Sequence, residues 1–395
     1  MSIIVYQPEG VAQSQQQFAR HSVFSSTNLP VAAPITFNFL SRLSDCLLNH
    51  PEKYQYPELV SLGFWLRKRH MTSTLSLLPE GKHRPLGVVV HYSPSNVDTM
   101  FVYSWVCSLV MGNRNVVRIS QAEQPLKAEL LKRIYTVLAM PEFTKLLQRN
   151  AFIYVDKHTE ANVWLSQQAD GRVIWGGDDS VVEIRALPSK PRTIDVCFAD
   201  RYSVSIIDPS ALTAKELTIL TARFWQDMKP FSQQACSSPR VIYWLGDEQQ
   251  AITFISDLNR HVKPEDMALT TANEQLVYAQ YCLAHQSTAK MVSQTPICAL
   301  ITDNVSQLCI DSHPGQYCLL VVPVDSVAQC VAKLDEKVQT ITYFGMSKKV
   351  IEDVLCESSC EGGERTVAIG DALNFSPIWD GVNLYSTLSR QISLD

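Results

Sequence analysis

Residues 86–91 read Leu-Gly-Val-Val-Val-His, a continuous apolar run that is rich in valine. Such a short run is typical of a strand buried on both faces of a parallel sheet. Downstream of it, short apolar strands alternate with segments whose apolar residues recur at helical spacing. The predicted order is strand 86–91, helix 97–111, strand 115–119, helix 125–139, strand 152–155, helix 159–167, strand 172–175, helix 178–185 and strand 194–197. This alternation predicts a doubly wound α/β domain with a ligand site at the carboxyl ends of its strands.

A second strand and helix series begins near residue 204. Its strands and its long helix are predicted over 204–207, 213–228, 240–244, 319–324 and 341–344. Before the first strand, residues 1–30 are polar, and residues 34–48 and 57–69 carry apolar side chains at helical spacing. We therefore predict a helical N-terminal region, two α/β domains and a C-terminal segment that packs on the core.

Composition excludes several classes of protein. The 395 residues are 46% hydrophobic and carry a net charge of −5 with both signs scattered, so no basic stripe suggests a nucleic-acid partner. No apolar run is long enough to span a bilayer, and the first residues lack the pattern of a secretory signal. The eleven cysteines are spread thinly and form no Cys-x-x-Cys pair, which disfavours a disulfide scaffold and a zinc site. We expect a cytoplasmic protein without a structural metal.

Cys236 is the candidate nucleophile. It lies in SQQACSSPR at 232–240, a loop of small and polar residues between a predicted helix and a predicted strand. A thiolate on such a loop suits acyl transfer, since it attacks a carbonyl, forms a thioester and later leaves readily. The residues alone leave a second interpretation open, in which Cys236 is a small buried hydrophobic side chain.

Three further segments, read together with Cys236, resemble a known family. HYSPSN at 91–96, WGGD at 175–178 and DRYS at 200–203 are similar to the LuxC-type fatty acyl reductases, a branch of the aldehyde dehydrogenase superfamily. The resemblance extends over roughly residues 35–390. It implies an aldehyde-dehydrogenase-like fold with a Rossmann-type cofactor domain and an α/β catalytic domain that carries the nucleophilic cysteine.

The resemblance also implies an activity. It predicts an NADPH-dependent acyl-CoA reductase that accepts a long-chain acyl group from CoA or from an acyl-carrier or acyl-protein donor. Cys236 would hold the acyl group as a thioester, which NADPH reduces to the aldehyde. Two alternatives stay open: a short-chain acylating aldehyde dehydrogenase, and a thiol-dependent acyltransferase that transfers no hydride. A scaffold that keeps the fold without catalysis is a third.

Asn96 matches the asparagine whose side-chain amide stabilises the oxyanion in this superfamily, with the Cys236 backbone N–H as the second donor. A helix N-cap is the alternative role for Asn96. Phe198 falls where the superfamily has a glutamate that activates water, and its identity disfavours hydrolysis of the thioester to a free acid. His313 lies near the position of a second glutamate and is a candidate acid or base, or simply a loop residue.

The cofactor contacts follow from the same resemblance. Arg118 replaces the lysine that touches the adenosine ribose, and its guanidinium could grip a 2′-phosphate with two hydrogen bonds, which favours NADPH. Ser120 could assist as a hydroxyl donor. The remaining implied contacts are Ser93, Pro94, Ser95, Gly176, Gly177 and Asp178. For the glycine pair, a plain tight turn would produce the same sequence.

The predicted domains are an N-terminal helical region with an oligomerisation arm (1–85), a nucleotide-binding domain (86–203), a catalytic domain (204–345) and a C-terminal segment (346–395). The arm is a hairpin over 71–86 that resembles the assembly arm of the superfamily. Its edge strand would leave backbone groups unpaired in an isolated chain. We therefore predict a closed homo-oligomer, a dimer or a tetramer.

Overall fold

A computed structural model of the chain describes residues 2–7, 9–51, 55–94, 99–120, 125–210, 212–263, 265 and 267–393. The chain divides into two compact units. Unit 1 comprises Met1–Ala199 together with Phe375–Asp395, and unit 2 comprises Asp200–Asn374. The units divide after residues 199 and 374, whereas the predicted domain boundaries lie after residues 203 and 345.

Unit 1 is built around a doubly wound sheet. Its strands before residue 200 are β1 Ser2–Tyr6, β2 Gly10–Ser14, β3 Lys82–Pro85, β4 Val88–Tyr92, β5 Arg114–Arg118, β6 Asn150–Tyr154, β7 Gly171–Trp175 and β8 Ile194–Phe198. In the described residues, seven of them form a sheet in the order β2-β1-β6-β5-β4-β7-β8. Strands β4 to β8 are mutually parallel, and the chain reverses direction across the sheet after β6. The topological switch point is therefore between β4 and β7, where open α/β sheets bind ligands.

The helices of unit 1 cover both faces of this sheet. They are α1 Gln15–Phe18, α2 Ser22–Ser25, α3 Pro34–Leu48, α4 Pro57–Trp65, α5 Lys68–Thr74, α6 Met100–Val110, α7 Pro125–Leu138, α8 Thr144–Leu147, α9 Glu160–Gln168 and α10 Asp178–Arg185. The predicted helices over 34–48 and 178–185 are confirmed. Every residue of α6 is buried, as expected of a helix that is apolar on all sides. A proline in the first turn begins α3, where its missing N–H is harmless.

The N-terminal region predicted as helical over residues 1–85 begins with two strands instead. β1 and β2 form an antiparallel ribbon in which Ser2 is opposite Ser14, and β1 also pairs with β6. The reason is a period of two along β1, where Ile3 and Val5 are each 1% exposed whereas Ser2, Ile4 and Tyr6 are not buried. These residues therefore belong to the main sheet of unit 1 and form no separate N-terminal region.

Unit 2 contains a second mostly parallel sheet. Its strands are β9 Tyr202–Ile207, β10 Pro239–Trp244, β11 Lys290–Ser293, β12 Cys298–Ile301, β13 Cys318–Pro323, β14 Val338–Phe344 and β15 Arg365–Ala368. They lie in the order β11-β12-β13-β10-β9-β14-β15, and only β11 pairs in an antiparallel manner within the described residues. The unit extends past the predicted boundary at 345 because β15 pairs in parallel with β14.

Both faces of the second sheet are buried. Val241 and Tyr243 of β10 belong to one apolar cluster, whereas Ile242 and Trp244 belong to another. This alternation is the side-chain period of a strand, so each cluster lies against one face. The helices of the unit are α11 Ala214–Met228, α12 Glu248–Leu258, α13 Leu269–His285, α14 Gln307–Asp311, α15 Val327–Val331 and α16 Lys348–Glu357.

The C-terminal segment returns to unit 1 as β16 Ile378–Trp379, β17 Val382–Asn383, α17 Leu384–Thr387 and β18 Ser389–Ile392. Strand β18 pairs in an antiparallel manner with β3. The hairpin predicted over 71–86 is therefore wrong. Residues 68–74 form α5 instead, where the hydroxyl of Thr74 donates to the Met71 carbonyl over 2.8 Å and continues the helical turn. Within the described ranges, no helix has both the length and the apolar character needed to cross a membrane.

Candidate active site

Cys236 lies on a strained loop in unit 2. It is a half-buried cysteine that forms no disulfide with any described residue, and it lies in the turn between α11 and β10. Just before it, Phe231, Ser232 and Gln233 have φ angles of 55°, 51° and 64°, three consecutive left-handed residues without a glycine. Each such residue costs roughly 1–3 kcal/mol and persists only where neighbouring groups enforce it.

Two groups enforce this conformation. The side-chain amide of Gln233 donates to the carbonyls of Pro239 at 2.7 Å and Cys318 at 2.8 Å. The backbone N–H of Gln316 donates to the Ser232 carbonyl over 2.7 Å. Hydrogen bonds therefore hold the loop before Cys236 against β10 and against the segment that leads into β13.

The amino ends of β9, β10 and β14 meet at Cys236, because these strands are adjacent and parallel. The Ser203 hydroxyl donates to the Cys236 carbonyl over 2.7 Å and accepts from the Thr340 N–H at 3.2 Å. The backbone of Cys236 is thus held by β9 and β14 together.

Gln339 contacts the sulfur itself. Its side-chain Nε2 donates to Cys236 Sγ over 3.2 Å, and the residue is 1% exposed. A donor aimed at sulfur stabilises the thiolate more than the thiol, because the negative charge accepts the stronger hydrogen bond. Gln339 Oε1 is buried and has no hydrogen-bond partner in the described part of the chain.

Arg240 supplies positive charge beside the thiol. Burial lowers the pKa of Arg240, and attraction to Asp200 and then to Cys236 opposes this effect. Its Nε is buried without a hydrogen-bond partner among the described residues. Because a nearby cation favours the thiolate, Arg240 and Gln339 act on Cys236 in the same direction.

His313 is close to this cluster, yet both of its ring nitrogens are engaged with backbone. Nδ1 accepts from the Gly315 N–H at 3.1 Å, and Nε2 is 3.2 Å from the Cys318 carbonyl. Burial, and then the charge of Arg240, hold the pKa of His313 well below its usual value. This geometry argues against the predicted role as an acid or base, because a neutral, fully bonded ring has no site for proton exchange. The ring fixes the 313–318 turn.

Unit 1 has its own candidate site at the switch point of the sheet. Ser93 and Pro94 follow β4, and Gly176 and Gly177 follow the adjacent strand β7. The Ser93 hydroxyl is buried and lacks a partner in the residues described. A side chain at Gly177 would meet no atom within 4 Å, and its φ of −64° suits any residue. Neither packing nor backbone conformation therefore requires a glycine there.

Asp178 begins α10, and Asp179 is also in its first turn. Carboxylates at this position complement the helix dipole and repel a phosphate. This end of the helix therefore suits a ribose hydroxyl, which can donate a hydrogen bond to a carboxylate, better than it suits a phosphate.

Two cations lie near the ends of β5. Arg118 Nε donates to the Val155 carbonyl over 2.8 Å, and burial lowers the pKa of Arg118. The Ser120 hydroxyl accepts from Lys127 Nζ at 2.9 Å. Ser120 was predicted as a donor, and its partner Lys127 is a further cation that the sequence did not single out. Two other predicted residues, Ser95 and Asn96, lie outside the described residues.

Phe198 ends β8 as a buried aromatic. It is 2% exposed and stacks on Trp175, with the ring centroids 3.9 Å apart. The side chain therefore contributes packing and offers no carboxylate. Nor does any group of three or more His, Cys, Asp and Glu side chains in the described ranges have the arrangement of a metal site.

Gln339 and Arg240 were also not singled out from the sequence. The sequence carries a weak signal for Arg240, which is a charged residue at the start of an apolar strand. Burial of such a charge must be compensated by a partner of opposite charge or by hydrogen bonds. Gln339 has no comparable signal. It is 103 residues from Cys236 along the chain and reaches the thiol only through the pairing of β14 with β9.

A family profile described as Acyl-CoA reductase (LuxC) matches residues 79–391, most of the chain. The chain belongs to the LuxC family. The resemblance seen in its motifs is thereby confirmed.

Curated relatives of this LuxC family member share limited identity with it. The long-chain acyl-protein thioester reductase of Aliivibrio fischeri is 25% identical over 190 residues, which are 47% of this chain and 38% of the relative. The long-chain acyl-protein thioester reductase 2 of Photobacterium leiognathi is 24% identical over 327 residues, 77% of this chain and 63% of the relative. The matches thus span less than two thirds of the length of either relative.

Solved structures establish the fold of this LuxC chain. PnpE in complex with nicotinamide adenine dinucleotide has a TM-score of 0.69 and 13% identity, with 99% of this chain and 93% of that chain covered. An NAD-dependent aldehyde dehydrogenase from Sinorhizobium meliloti has a TM-score of 0.69 and 10% identity, with 95% and 86% covered. The predicted aldehyde-dehydrogenase-like α/β fold is confirmed.

Proposed function

We propose that this LuxC chain is an NADPH-dependent reductase that converts a long-chain acyl thioester to the aldehyde through a thioester on Cys236. The observation that carries the proposal is the 3.2 Å hydrogen bond from the Gln339 amide to the Cys236 sulfur, beside the buried charge of Arg240. Such an environment favours a nucleophilic thiolate. The names of the two curated relatives support a long-chain acyl thioester as the substrate class.

The first half of the reaction is acyl transfer. The Cys236 thiolate attacks the acyl carbonyl, a bond forms between Sγ and the carbonyl carbon, and the bond from that carbon to the donor sulfur breaks. The donor, CoA or a carrier protein, leaves as a thiolate that takes up a proton. The negative charge that builds on the carbonyl oxygen needs hydrogen-bond donors, for which Asn96 and the Cys236 backbone N–H are proposed.

The second half is reduction of the enzyme thioester. When bound, the reduced nicotinamide supplies a hydride to the thioester carbonyl. Asn96 stabilises the resulting alkoxide as it stabilised the first one, and collapse of that alkoxide expels the Cys236 thiolate and releases the aldehyde. Phe198 in place of a water-activating carboxylate leaves the thioester intact until reduction.

The switch point of unit 1 fits a nicotinamide cofactor. Among the described residues, the buried Ser93 hydroxyl has no hydrogen-bond partner and no contact requires a glycine at position 177. Close approach of a ligand would explain both features. Ser93, Pro94, Ser95, Gly176, Gly177 and Asp178 would hold the cofactor. Arg118 would carry the preference for NADPH, with Ser120 placed beside it by Lys127.

Intact-mass measurement tests the proposal directly. The protein is incubated with C4 and C14 acyl-CoAs, with and without NADPH. We expect the mass of one acyl group on the chain with C14, and its loss with aldehyde release once NADPH is added. Cys236→Ala should abolish both the added mass and the aldehyde while NADPH still binds, because only the nucleophile is removed.

The outcomes separate the alternatives. A C4 preference would identify a short-chain acylating dehydrogenase, and an acyl-enzyme that persists with NADPH would identify an acyltransferase. Acyl mass retained in Cys236→Ala would disprove the nucleophile.

A further inference from the structure

The ribbon formed by β3 and β18 places two arginines against each other. Arg84 is directly opposite Arg390 in the antiparallel register. Side chains at opposite positions of such a ribbon project to the same side, with their Cβ atoms about 4.5–5.5 Å apart, and like charges there are destabilising. The pairing of Arg84, which is exposed, with the half-buried Arg390 therefore favours a bound anion between them.

A third arginine joins this pair. Arg390 Nη2 donates to the backbone carbonyl of Arg192 over 3.2 Å. Arg84, Arg192 and Arg390, together with Lys190, line one cavity of about 760 Å³ in unit 1. No carboxylate in the described part of the chain pairs with any of the three guanidinium groups.

Asp170 is the acidic residue in the lining of this cavity, and it is already engaged. One carboxylate oxygen is 2.8 Å from Lys190 Nζ, and the other accepts from the Val88 N–H over 2.8 Å. Its charge is thus matched by Lys190 and by a backbone donor. The three arginines remain uncompensated, in a chain whose overall charge is −5.

The cavity is distinct from the proposed cofactor site. Leu86, Asp170 and Arg192 precede β4, β7 and β8, so the cavity lies at the amino ends of these strands. The switch point lies at their carboxyl ends. Five residues of strand separate the two edges by about 16 Å at roughly 3.3 Å per residue.

We infer that Arg84, Arg192 and Arg390 form a binding site for a phosphate-bearing ligand of nucleotide size. The planar guanidinium groups match phosphate oxygens with paired hydrogen bonds, and the bound charge removes the repulsion between Arg84 and Arg390. The cavity volume falls in the range of small-molecule sites, about 300–1,000 Å³. The ligand is a free nucleoside diphosphate or the 3′-phosphorylated ADP portion of CoA, which share this chemistry.

Titration calorimetry on the full chain tests the inference with four probes: inorganic pyrophosphate, ADP, adenosine 3′,5′-bisphosphate and CoA. In the Arg84→Gln/Arg390→Gln variant, affinity for the bound probes should fall by about 100-fold, near tenfold for each guanidinium group removed. Arg69→Gln, an exposed surface control, should leave pyrophosphate binding unchanged. Tighter binding of CoA than of ADP identifies CoA as the source, and the reverse identifies a free nucleotide.

Thermal unfolding provides the second measurement. Without ligand, the double variant should melt at the same temperature as the parent or higher, because a like-charge repulsion has been removed. With pyrophosphate, only the parent should gain stability. Equal affinity in parent and variant, or a variant that loses binding because it melts earlier, would overturn the inference. Alkylation of the Cys236 thiol by iodoacetamide, a reagent without a nucleotide portion, should be unchanged in the variant, so failure here is separable from failure of the proposed function.

Discussion

At the scale of single residues, Gln339 contacts the sulfur of Cys236, the proposed nucleophile. Replacing it with alanine removes the hydrogen bond to the Cys236 sulfur. A hydrogen bond to a charged group contributes about 1.5–3 kcal/mol, so Gln339→Ala should raise the pKa of the thiol by about 1 to 2. The rate of iodoacetamide alkylation, measured from pH 5 to 10, reports this value.

Gln307→Ala is the matched control. Gln307 donates to Asp311 within α14 on the surface, so its removal should leave the alkylation profile unchanged. Gln339→Glu should slow alkylation at neutral pH even more than alanine, since a carboxylate repels a thiolate. A profile that is identical in Gln339→Ala and the parent would mean that the hydrogen bond does not stabilise the thiolate.

Arg118 is the residue on which the proposed preference for NADPH rests. Its Nε is occupied by the Val155 carbonyl, so the remaining guanidinium nitrogens are the ones that would meet a 2′-phosphate. Arg118→Ala should lower the preference for NADPH over NADH by roughly 10- to 150-fold, the equivalent of one charge-assisted hydrogen bond. Steady-state kcat/KM with each cofactor measures the ratio. Equal losses for both cofactors would place the role of Arg118 on a shared group or on structure.

The role of a residue could be predicted from the sequence only where the composition of its own segment indicated that role. Cys236 could be found because a cysteine in a loop of small polar residues is accessible whatever the surrounding fold. The roles of Gln339 and Arg84 could not be predicted in this way. Their significance arises from neighbours 103 and 306 positions away, brought together by strand pairing in β14 with β9 and in β18 with β3.

At the scale of secondary structure, the long apolar runs and the periodic helices were predicted well, because burial of a whole face dictates them. The errors fall on short segments. In β1, Ile3, Ile4 and Val5 are apolar at successive positions, so the sequence hides the alternation in burial. Around residue 74, an alternation of Thr, Ser and Leu resembles a strand although Met71 and Thr74 are buried at helical spacing. Tertiary packing decides such segments.

Asp227, in the last turn of α11, links this helix to the turn that follows β15. Its carboxylate accepts from the N–H groups of Gly370 at 2.6 Å and Ala372 at 3.0 Å. The residue is 1% exposed, and burial raises the pKa of Asp227 to about 7. The unfolded chain has an aspartate pKa near 3.9, so the folded state holds a proton that the unfolded state releases between these values.

The sign of the pH dependence follows from this difference. The stability contributed by protonated Asp227 is complete below about pH 4 and falls as the pH rises to 7, by up to about 4 kcal/mol. Asp227→Asn mimics the protonated acid and should lose less stability between pH 5 and pH 8 than the parent. Urea unfolding at both pH values measures the difference. The same slope in the two proteins would mean that Asp227 is ionised in the folded state.

At the scale of the whole molecule, the predictions concern the oligomeric state of the chain and the separate roles of its two units. The homo-oligomer prediction rested on an unpaired hairpin, and β3 instead pairs with β18 of the same chain. Light scattering remains the measurement for it. The division of labour between units is more directly testable, because Asp200–Asn374 is a continuous segment with its own sheet and two apolar clusters.

We therefore expect unit 2, expressed as residues 200–374, to fold alone and to keep a reactive Cys236. Ser203, Gln339 and Arg240, which hold or polarise this cysteine, all lie within the segment. Its thiol should react with iodoacetamide at a rate close to that of the full chain and accept an acyl group from acyl-CoA. No aldehyde should form, because the strands and glycines proposed to bind the cofactor belong to unit 1. The Gln339→Ala version of the segment is the control for native geometry, since it should slow alkylation as it does in the full chain. Two outcomes would mean that the environment of Cys236 depends on unit 1 as well. The segment could unfold without a cooperative transition, or its alkylation rate could be the same with and without Gln339→Ala.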